Sequence, residues 1–205
     1  MKVAIVDCGI GNIQSVKRMF EAIGSEASVV SNPEDAESCS RLVLPGVGAF
    51  DAGMSALHES GWYQLLNYLA FERKVPLLGI CLGMQLLCRR SDEGVLPGLG
   101  WIDADVLEFK RDVVDIKIPH MGWNLVRSTQ ENELLPSGLD AQRFYHVHKY
   151  HAVCDSNESI LAVSHYGYDF PTIIRRDNIY GVQFHPEKSH KFGMNLLKRF
   201  LQIKC

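Results

Sequence analysis

Three residues in this chain have the types and spacing of acyl-transfer chemistry: Cys81, His185 and Glu187. Cys81 lies in Gly79-Ile80-Cys81-Leu82-Gly83, after the apolar run Val75-Pro76-Leu77-Leu78 and before the helix-like stretch Met84-Gln85-Leu86-Leu87. The order is strand, sharp turn, helix, with a thiol at the turn. At a helix N-terminus, unpaired backbone N–H groups and the helix dipole favour the thiolate, the reactive form of cysteine. The flanking glycines make the turn sterically possible. The pattern matches a nucleophile elbow with sulfur in place of oxygen, and it predicts acyl transfer through a thioester. The alternative for Cys81 is an inert, buried apolar filler.

A cysteine nucleophile needs a base, and the base needs an orienting carboxylate. His185-Pro186-Glu187 offers both, after the strand-like run Asn178 to Phe184. Proline discourages helix here, so His185 and Glu187 are expected on one side of an extended backbone. A solvated loop after a strand is the competing reading. Thioester chemistry also creates an oxyanion that requires N–H donors at short range. In elbow enzymes one donor follows the nucleophile and another comes from a neighbouring loop, which points to Leu82 and to Gly46, Val47 and Gly48 in Pro45-Gly46-Val47-Gly48.

The glycine loops exclude other chemistries. Gly9-Ile10-Gly11-Asn12 and Gly46-Val47-Gly48 lack the third glycine of a dinucleotide fingerprint, with Gln14 and Asp51 at those positions, and no P-loop Gly-Lys-Ser/Thr occurs. His146, His148 and His151 suggest a metal cluster at first sight. No carboxylate or cysteine accompanies them, so a strand rim beside the active site is the preferred reading, with no metal and no cofactor expected.

The elements that must position these groups follow from periodicity. Val3 to Val6, Ala27 to Val30 and Arg41 to Leu44 read as strands, alternating with helical stretches over Ile13 to Ile23, Ala52 to Ser60 and Tyr63 to Arg73. That alternation predicts an α/β fold with a mostly parallel central sheet and helices on both faces. In the second half, strand candidates at Ala104 to Phe109, Gln142 to Val147, Ser159 to Ser164 and Tyr180 to Phe184 predict antiparallel additions. Phe192, Leu196 and Phe200 predict a closing amphipathic helix. Nothing reads as a linker, so residues 1–205 are taken as one domain.

The formal net charge of −3 and an ordinary apolar fraction of 46% give no general attraction to nucleic acid or anionic membrane, and favour a small-molecule substrate. The first residues do not read as a signal peptide and no run approaches a membrane span, so a cytoplasmic protein is expected. Six cysteines without a C-x-x-C pair argue for free thiols.

Taken together, the elbow, His185 and Glu187 in that chain order, and Gln85 one turn past the nucleophile resemble the triad-type (class I) glutamine amidotransferases. Within them the likeness is to the glutaminase subunits of imidazole glycerol phosphate synthase. It is carried by Asp7 to Asn12, Pro45 to Phe50, Gly79 to Leu87, Pro119-His120-Met121-Gly122-Trp123-Asn124 and Gly181 to Ser189. The resemblance implies that Cys81 attacks the side-chain amide of glutamine, His185 protonates departing ammonia and then activates water, and Glu187 orients His185. It also implies that Gly46, Gly48, Gln85 and the backbone near Lys149 and Tyr150 hold glutamine.

Ammonia released into neutral water becomes mostly ammonium, so transfer requires a shielded path to a second site, which this chain does not display. The resemblance implies a heterodimer with a (β/α)8-barrel cyclase subunit in histidine biosynthesis. Trp123, expected in a Gly-Trp-Asn turn and not in an apolar run, is with Asn124 and Lys188 the candidate docking surface, because aromatic anchors dominate interface energetics. A core tryptophan at a sheet edge is the alternative. The chain departs from the family at Cys8, where an aromatic residue is usual, and at Lys149, where Val-His-Ser-Tyr is usual. A paralogous amidotransferase that supplies ammonia for an amidino group on a bacterial surface sugar is the second reading. A Cys-His peptidase, a redox-sensing thiol protein and a non-catalytic module are more distant ones.

Overall fold

The computed structural model describes residues 2–110, 116–136, 138 and 141–204. Its first half alternates strands β1 (Val3–Val6), β2 (Ala27–Val30), β3 (Arg41–Gly46) and β4 (Leu77–Cys81) with helices α1 (Ile13–Ala22), α2 (Phe50–Glu59) and α3 (Trp62–Asn67). A π-helical turn, Tyr68–Glu72, extends α3, and the five-residue α4 (Leu82–Leu86) follows β4 without a gap. Strands β5 (Ala104–Glu108), β6 (His120–Ser128), β7 (Gln142–His148), β8 (Tyr150–Cys154), β9 (Ile160–Tyr166), β10 (Tyr168–Arg176) and β11 (Ile179–Val182) then lead to α5 (His190–Gln202).

The main sheet has the order β2-β1-β3-β4-β11-β10-β9-β6-β7. Neighbours from β2 through to β11 are parallel, and the remaining pairs are antiparallel. Of the segments expected as antiparallel additions, β7 and β9 extend the same sheet as antiparallel strands, β5 instead pairs with β8 in a separate antiparallel pair, and β11, over the Tyr180 to Phe184 candidate, runs parallel to β4 and is antiparallel only to β10. Sequence periodicity passes over β6, β8 and β10. β6 carries Gly122 and a polar Asn124 among half-exposed neighbours, so its alternation is weak.

Helices cover both faces, as the alternation of strand and helix predicts. Ala4, Val6, Leu42 and Leu44 pack with Phe50, Met54, Trp62 and Leu66 of α2 and α3. Val3, Ile5, Val43 and Ile80 pack with Val16 and Phe20 of α1 and with Leu196, Leu197 and Phe200 of α5. Burial on both faces is what makes these short strands near-continuous apolar runs. Cys8, Cys39, Cys81, Cys88 and Cys154 are free thiols, and Cys205 lies outside the described residues. No helix is long and apolar enough, among the described residues, to cross a membrane.

A polar cluster sits inside the antiparallel half. His120 and His148 are register partners on β6 and β7, and His146 shares their face; all three are buried. His151 lies apart, bonded to the Tyr168 hydroxyl. One ring nitrogen from each of His120, His146 and His148 lies within 4.8 Å of the others, close enough for one ion. Their neighbours direct the protons otherwise. The Tyr150 carbonyl can only accept, so His148 Nδ1, 2.8 Å away, carries a hydrogen and Nε2 is bare. Asn124 Nδ2, which also donates to the His165 carbonyl, donates to His120 Nε2 at 3.2 Å, so His120 Nδ1 is the donor to His148 Nε2. This directed chain leaves His120 no lone pair for a cation at that point. His146 Nδ1 competes for the same acceptor, and its Nε2 is buried with no partner among the described residues.

Burial holds all of these rings neutral. Desolvation lowers His120 to about 4, and desolvation reinforced by the neighbouring rings drives His146 and His148 well below the ordinary histidine value. Below about pH 6.5 the unfolded chain takes up protons that these folded rings refuse, so their contribution is fully present above that pH and is lost as pH falls toward 4.

Two stability measurements follow. Phe200→Ala, on the buried face of α5, should lower unfolding free energy in urea by about 3–5 kcal/mol, whereas exposed Lys198→Ala should stay within about 0.5 kcal/mol. Between pH 6.5 and 5, stability should fall by about 1.4 kcal/mol per pH unit for each refused proton. His146→Phe, which removes the unpartnered nitrogen beside Phe170 and Phe184, should flatten that slope at no cost near pH 7.5.

Candidate active site

The site forms where β4 ends. Cys81 is the last residue of β4 and the residue before α4, with φ 54° and ψ −108°, a backbone conformation L residues rarely adopt. The turn is possible only because three neighbours have no side chain. A Cβ on Gly83 would lie 1.8 Å from the Leu44 carbonyl oxygen, one on Gly79 would lie 2.7 Å from the Gly83 carbonyl, and one on Gly46 would lie 2.9 Å from the Gly83 nitrogen. β3 and α4 thus pack backbone to backbone, and the thiol is pushed out at the top of the sheet.

β11 lies beside β4 in parallel register, with Val182 opposite Ile80, which delivers the following segment to Cys81. His185 is held by its own backbone: its N–H donates to the Tyr145 carbonyl at 2.9 Å, and its carbonyl accepts from the Ser189 hydroxyl at 2.6 Å. His185 Nδ1 lies 2.7 Å from Glu187 Oε1, and both side chains are 2% exposed. Pro186–Lys188 forms a 3-10 turn, so Glu187 folds back under the imidazole instead of extending along a strand as the proline suggested. Burial opposes the charged imidazole, but the interactions with Cys81 and with Glu187 outweigh it and raise His185 to about 10. Nε2 is buried without a conventional partner among the described residues and is left to the thiol.

A cleft of about 390 Å³ opens over these groups, within the roughly 300–1,000 Å³ range of small-molecule sites. Cys81, His185, Leu82, Gln85, Val47, Gly48, Lys149, Tyr150 and Lys188 all line it. Gly46 does not; it packs against the elbow. Glu187 stands behind His185. Trp123 and Asn124 are not in the cleft, and Trp123 lies within β6 instead of the turn its Gly-Trp-Asn context suggested. It is 40% exposed, which sets aside the core reading. Its ring stacks on His190 at 5.6 Å and meets the edge of Tyr145, over which Lys188 Nζ sits 5.8 Å from the centroid.

The loop proposed to supply oxyanion donors is tied back. Val47 N–H donates to the Ile10 carbonyl, and Gly11 packs its Cα hydrogen side against the Pro45 carbonyl, so the two glycine loops brace one another. Leu82 N–H, at the first position of α4, has no intrahelical acceptor.

Two cleft or near-cleft residues escape the sequence reading. Glu93 lines the cleft and accepts from the Phe50 N–H at the start of α2 at 2.9 Å. It sits in a loop held by Asp51, whose carboxylate accepts from the Val95 and Leu96 N–H groups; nothing in the local sequence marks it. Gln183, fully buried, donates to Cys81 Sγ at 3.8 Å. Its position two residues before His185, on the same side of an extended segment, was the available signal.

Comparison with known proteins agrees with this geometry. The family description Glutamine amidotransferase class-I matches residues 4–203. The chain is 47% identical over 200 residues to imidazole glycerol phosphate synthase subunit HisH 2 of Methanococcus maripaludis, covering 98% of each, and 47% identical over 202 residues to the HisH 2 subunit of Pseudomonas aeruginosa, covering 98% of this chain and 99% of that one. It is 41% identical over 204 residues to the HisH 1 subunit of the same Methanococcus, covering 98% and 99%. Among solved structures, PurLQS from Thermotoga maritima superposes with a TM-score of 0.75 at 16% identity, covering 98% and 97%. A cysteine elbow, a histidine and glutamate delivered by the neighbouring strand, and a family match over nearly the whole length converge: the chain belongs to the class-I glutamine amidotransferases.

Proposed function

We propose that this protein is the glutaminase subunit of an imidazole glycerol phosphate synthase, acting in the cytoplasm in histidine biosynthesis. The observation that carries the reading is His185 with Nδ1 held 2.7 Å from Glu187 Oε1 and Nε2 left to Cys81, at the wall of a cleft of about 390 Å³. Cys81 sulfur attacks the side-chain carbonyl carbon of glutamine, forming the C–S bond. His185 gives its proton to the amide nitrogen as the C–N bond breaks, and ammonia leaves. His185 then takes a proton from water, whose oxygen attacks the thioester carbon; glutamate departs and the thiolate is restored. Leu82 N–H serves the oxyanion. Gln85 and the backbone at Lys149 and Tyr150 hold one end of glutamine, and the Glu93 carboxylate is suited to its α-ammonium.

Ammonia must stay unprotonated, which requires a partner seated over the exit. Met121, Trp123 and Leu125, exposed on one face of β6, form an apolar stripe that continues through Tyr145 to Lys188 at the cleft. A (β/α)8-barrel cyclase docks there in this reading. In this reading the tie from Val47 N–H to Ile10 keeps the enzyme slow without its partner, because an N–H already engaged cannot serve an oxyanion until the loop turns.

A second reading rests on the two departures from the family, Cys8 and Lys149, which bear on the partner and acceptor served: the paralogue that feeds ammonia to a surface-sugar amidination, on the same chemistry. Co-purification of the native partner, followed by assay for imidazole glycerol phosphate, separates the two; absence of product moves the assignment to the sugar pathway.

In the assembled complex Cys81→Ala should reduce glutamine hydrolysis by at least about 10⁴-fold, measured as glutamate release; persistence of turnover would end the enzyme assignment. Glutamine turnover should rise by about 10²-fold or more when the partner is added, in line with the loss that follows removal of one oxyanion donor. Equal rates with and without partner would refute the role given to the Val47 loop.

A further inference from the structure

The catalytic roles above leave one buried group next to the sulfur unused. Gln183 is wholly buried at the end of β11, where its main-chain N–H is fixed to the Thr172 carbonyl at 2.9 Å. Its side-chain amide lies between two site residues: Nε2 is 3.8 Å from Cys81 Sγ, and Oε1 is 3.2 Å from Gln85 Nε2. Gln85 Nε2 is also 3.4 Å from the Tyr150 carbonyl.

The direction of these bonds is set by the chemistry of the far end. A backbone carbonyl can only accept, so the Gln85 atom facing Tyr150 is its NH2 group. That group also faces Gln183, which must present its oxygen there. The remaining Gln183 atom, the one toward Cys81, is therefore a donor.

From this we infer that Gln183 is a positioning residue for the nucleophile, a neutral N–H donor that holds the Cys81 sulfur toward His185 and couples it through Gln85 to the wall of the substrate cleft. His185 meets the sulfur from one side and takes part in the proton transfers, whereas the amide N–H of Gln183 meets it from another side and takes part in none, so its hold on the sulfur is the same at every stage. Because Gln85 both lines the cleft and fixes the Gln183 amide, a ligand that engages Gln85 also bears on the aim of the sulfur. The inference rests on the glutaminase reading only for the identity of that ligand; the contact with the thiol stands without it.

The test uses the full chain and reads the thiol directly. Iodoacetamide labelling of the Cys81 peptide is followed by mass spectrometry from pH 5 to 10 in wild type, Gln183→Met and Gln183→Glu. Methionine keeps the length without a donor. Glutamate keeps the shape and the acceptor for Gln85 but places a carboxylate oxygen at the sulfur. Among the other described thiols, burial raises Cys8 to about 11 and Cys154 to about 12 and also raises Cys39 and Cys88, and the Cys81 peptide is read separately from all of them. In both variants labelling at pH 6.5 should slow by about tenfold and recover at higher pH, as expected for loss of a hydrogen bond to a charged group. In the assembled complex kcat should fall by about tenfold or more, with KM for glutamine changed less than threefold. Superimposable labelling profiles in a folded variant would overturn the inference even if the wild type hydrolyses glutamine. A shifted profile in a wild type that does not hydrolyse glutamine would uphold it and discard the glutaminase reading. Should Gln183→Met fail to fold, Gln183→Glu decides alone.

Discussion

The close approach of α4 to β3 governs this molecule. A strand that must turn into a helix within a single residue leaves that residue at φ 54° and ψ −108°, a conformation that costs about 1–3 kcal/mol and persists only where the surroundings over-determine it. Here the over-determination is backbone packing. Gly83 lies against the Leu44 carbonyl with no room for a methyl group, and Gly79 and Gly46 close the other sides. What the strain achieves is the presentation of one largely buried sulfur to the cleft at the carboxyl edge of the parallel strands, between the ends of β3 and β11.

The rest of the site is built from strand ends that this position makes available. β11, on one side, brings Gln183 and His185. β3, on the other, brings the Val47 loop, braced against Ile10 and Gly11. The 3-10 turn at Pro186–Lys188 returns Glu187 to the imidazole and sends Lys188 outward to Tyr145, so one three-residue turn faces the triad on one side and the Trp123 surface on the other. The candidate active site and the proposed docking surface share a backbone segment, which is a mechanical reason for the two to influence each other.

Electrostatics separates two groups of histidines that composition cannot distinguish. His185 is held charged by a buried carboxylate and a thiol; His120, His146 and His148 are held neutral because burial sets them among one another, amides, carbonyls and the rings of Phe109, Tyr166 and Phe170, with the His185 charge adding to the effect at His146 and His148. Both sets are buried. The difference lies in what burial encloses with the ring: an opposite charge offsets desolvation, and a second imidazole adds to it. The neutral set stiffens the antiparallel half through a directed chain that ends on the Tyr150 carbonyl, where Gln85 also donates.

Local sequence was sufficient for the features that depend on local sterics. The elbow, the strands β1 to β4, the amphipathic α5 and the candidate site residues Cys81, His185 and Glu187 are legible because glycine spacing, strand runs and helical periodicity act over a few residues, whereas the parallel direction of β11 was not. Other features depended on which distant elements became neighbours. Trp123 resembled a turn residue until β7 and β9 paired with β6. Glu93 had no signal until Asp51 and Phe50 anchored its loop. The metal-like trio turned out to be His120, His146 and His148 instead of His146, His148 and His151, since strand register chose the partner. Gln183 was one more polar residue on a strand until β4 set a sulfur beside it. A sequence carries the preferences of each segment, whereas the atoms that meet across a sheet are decided by packing all segments into one volume.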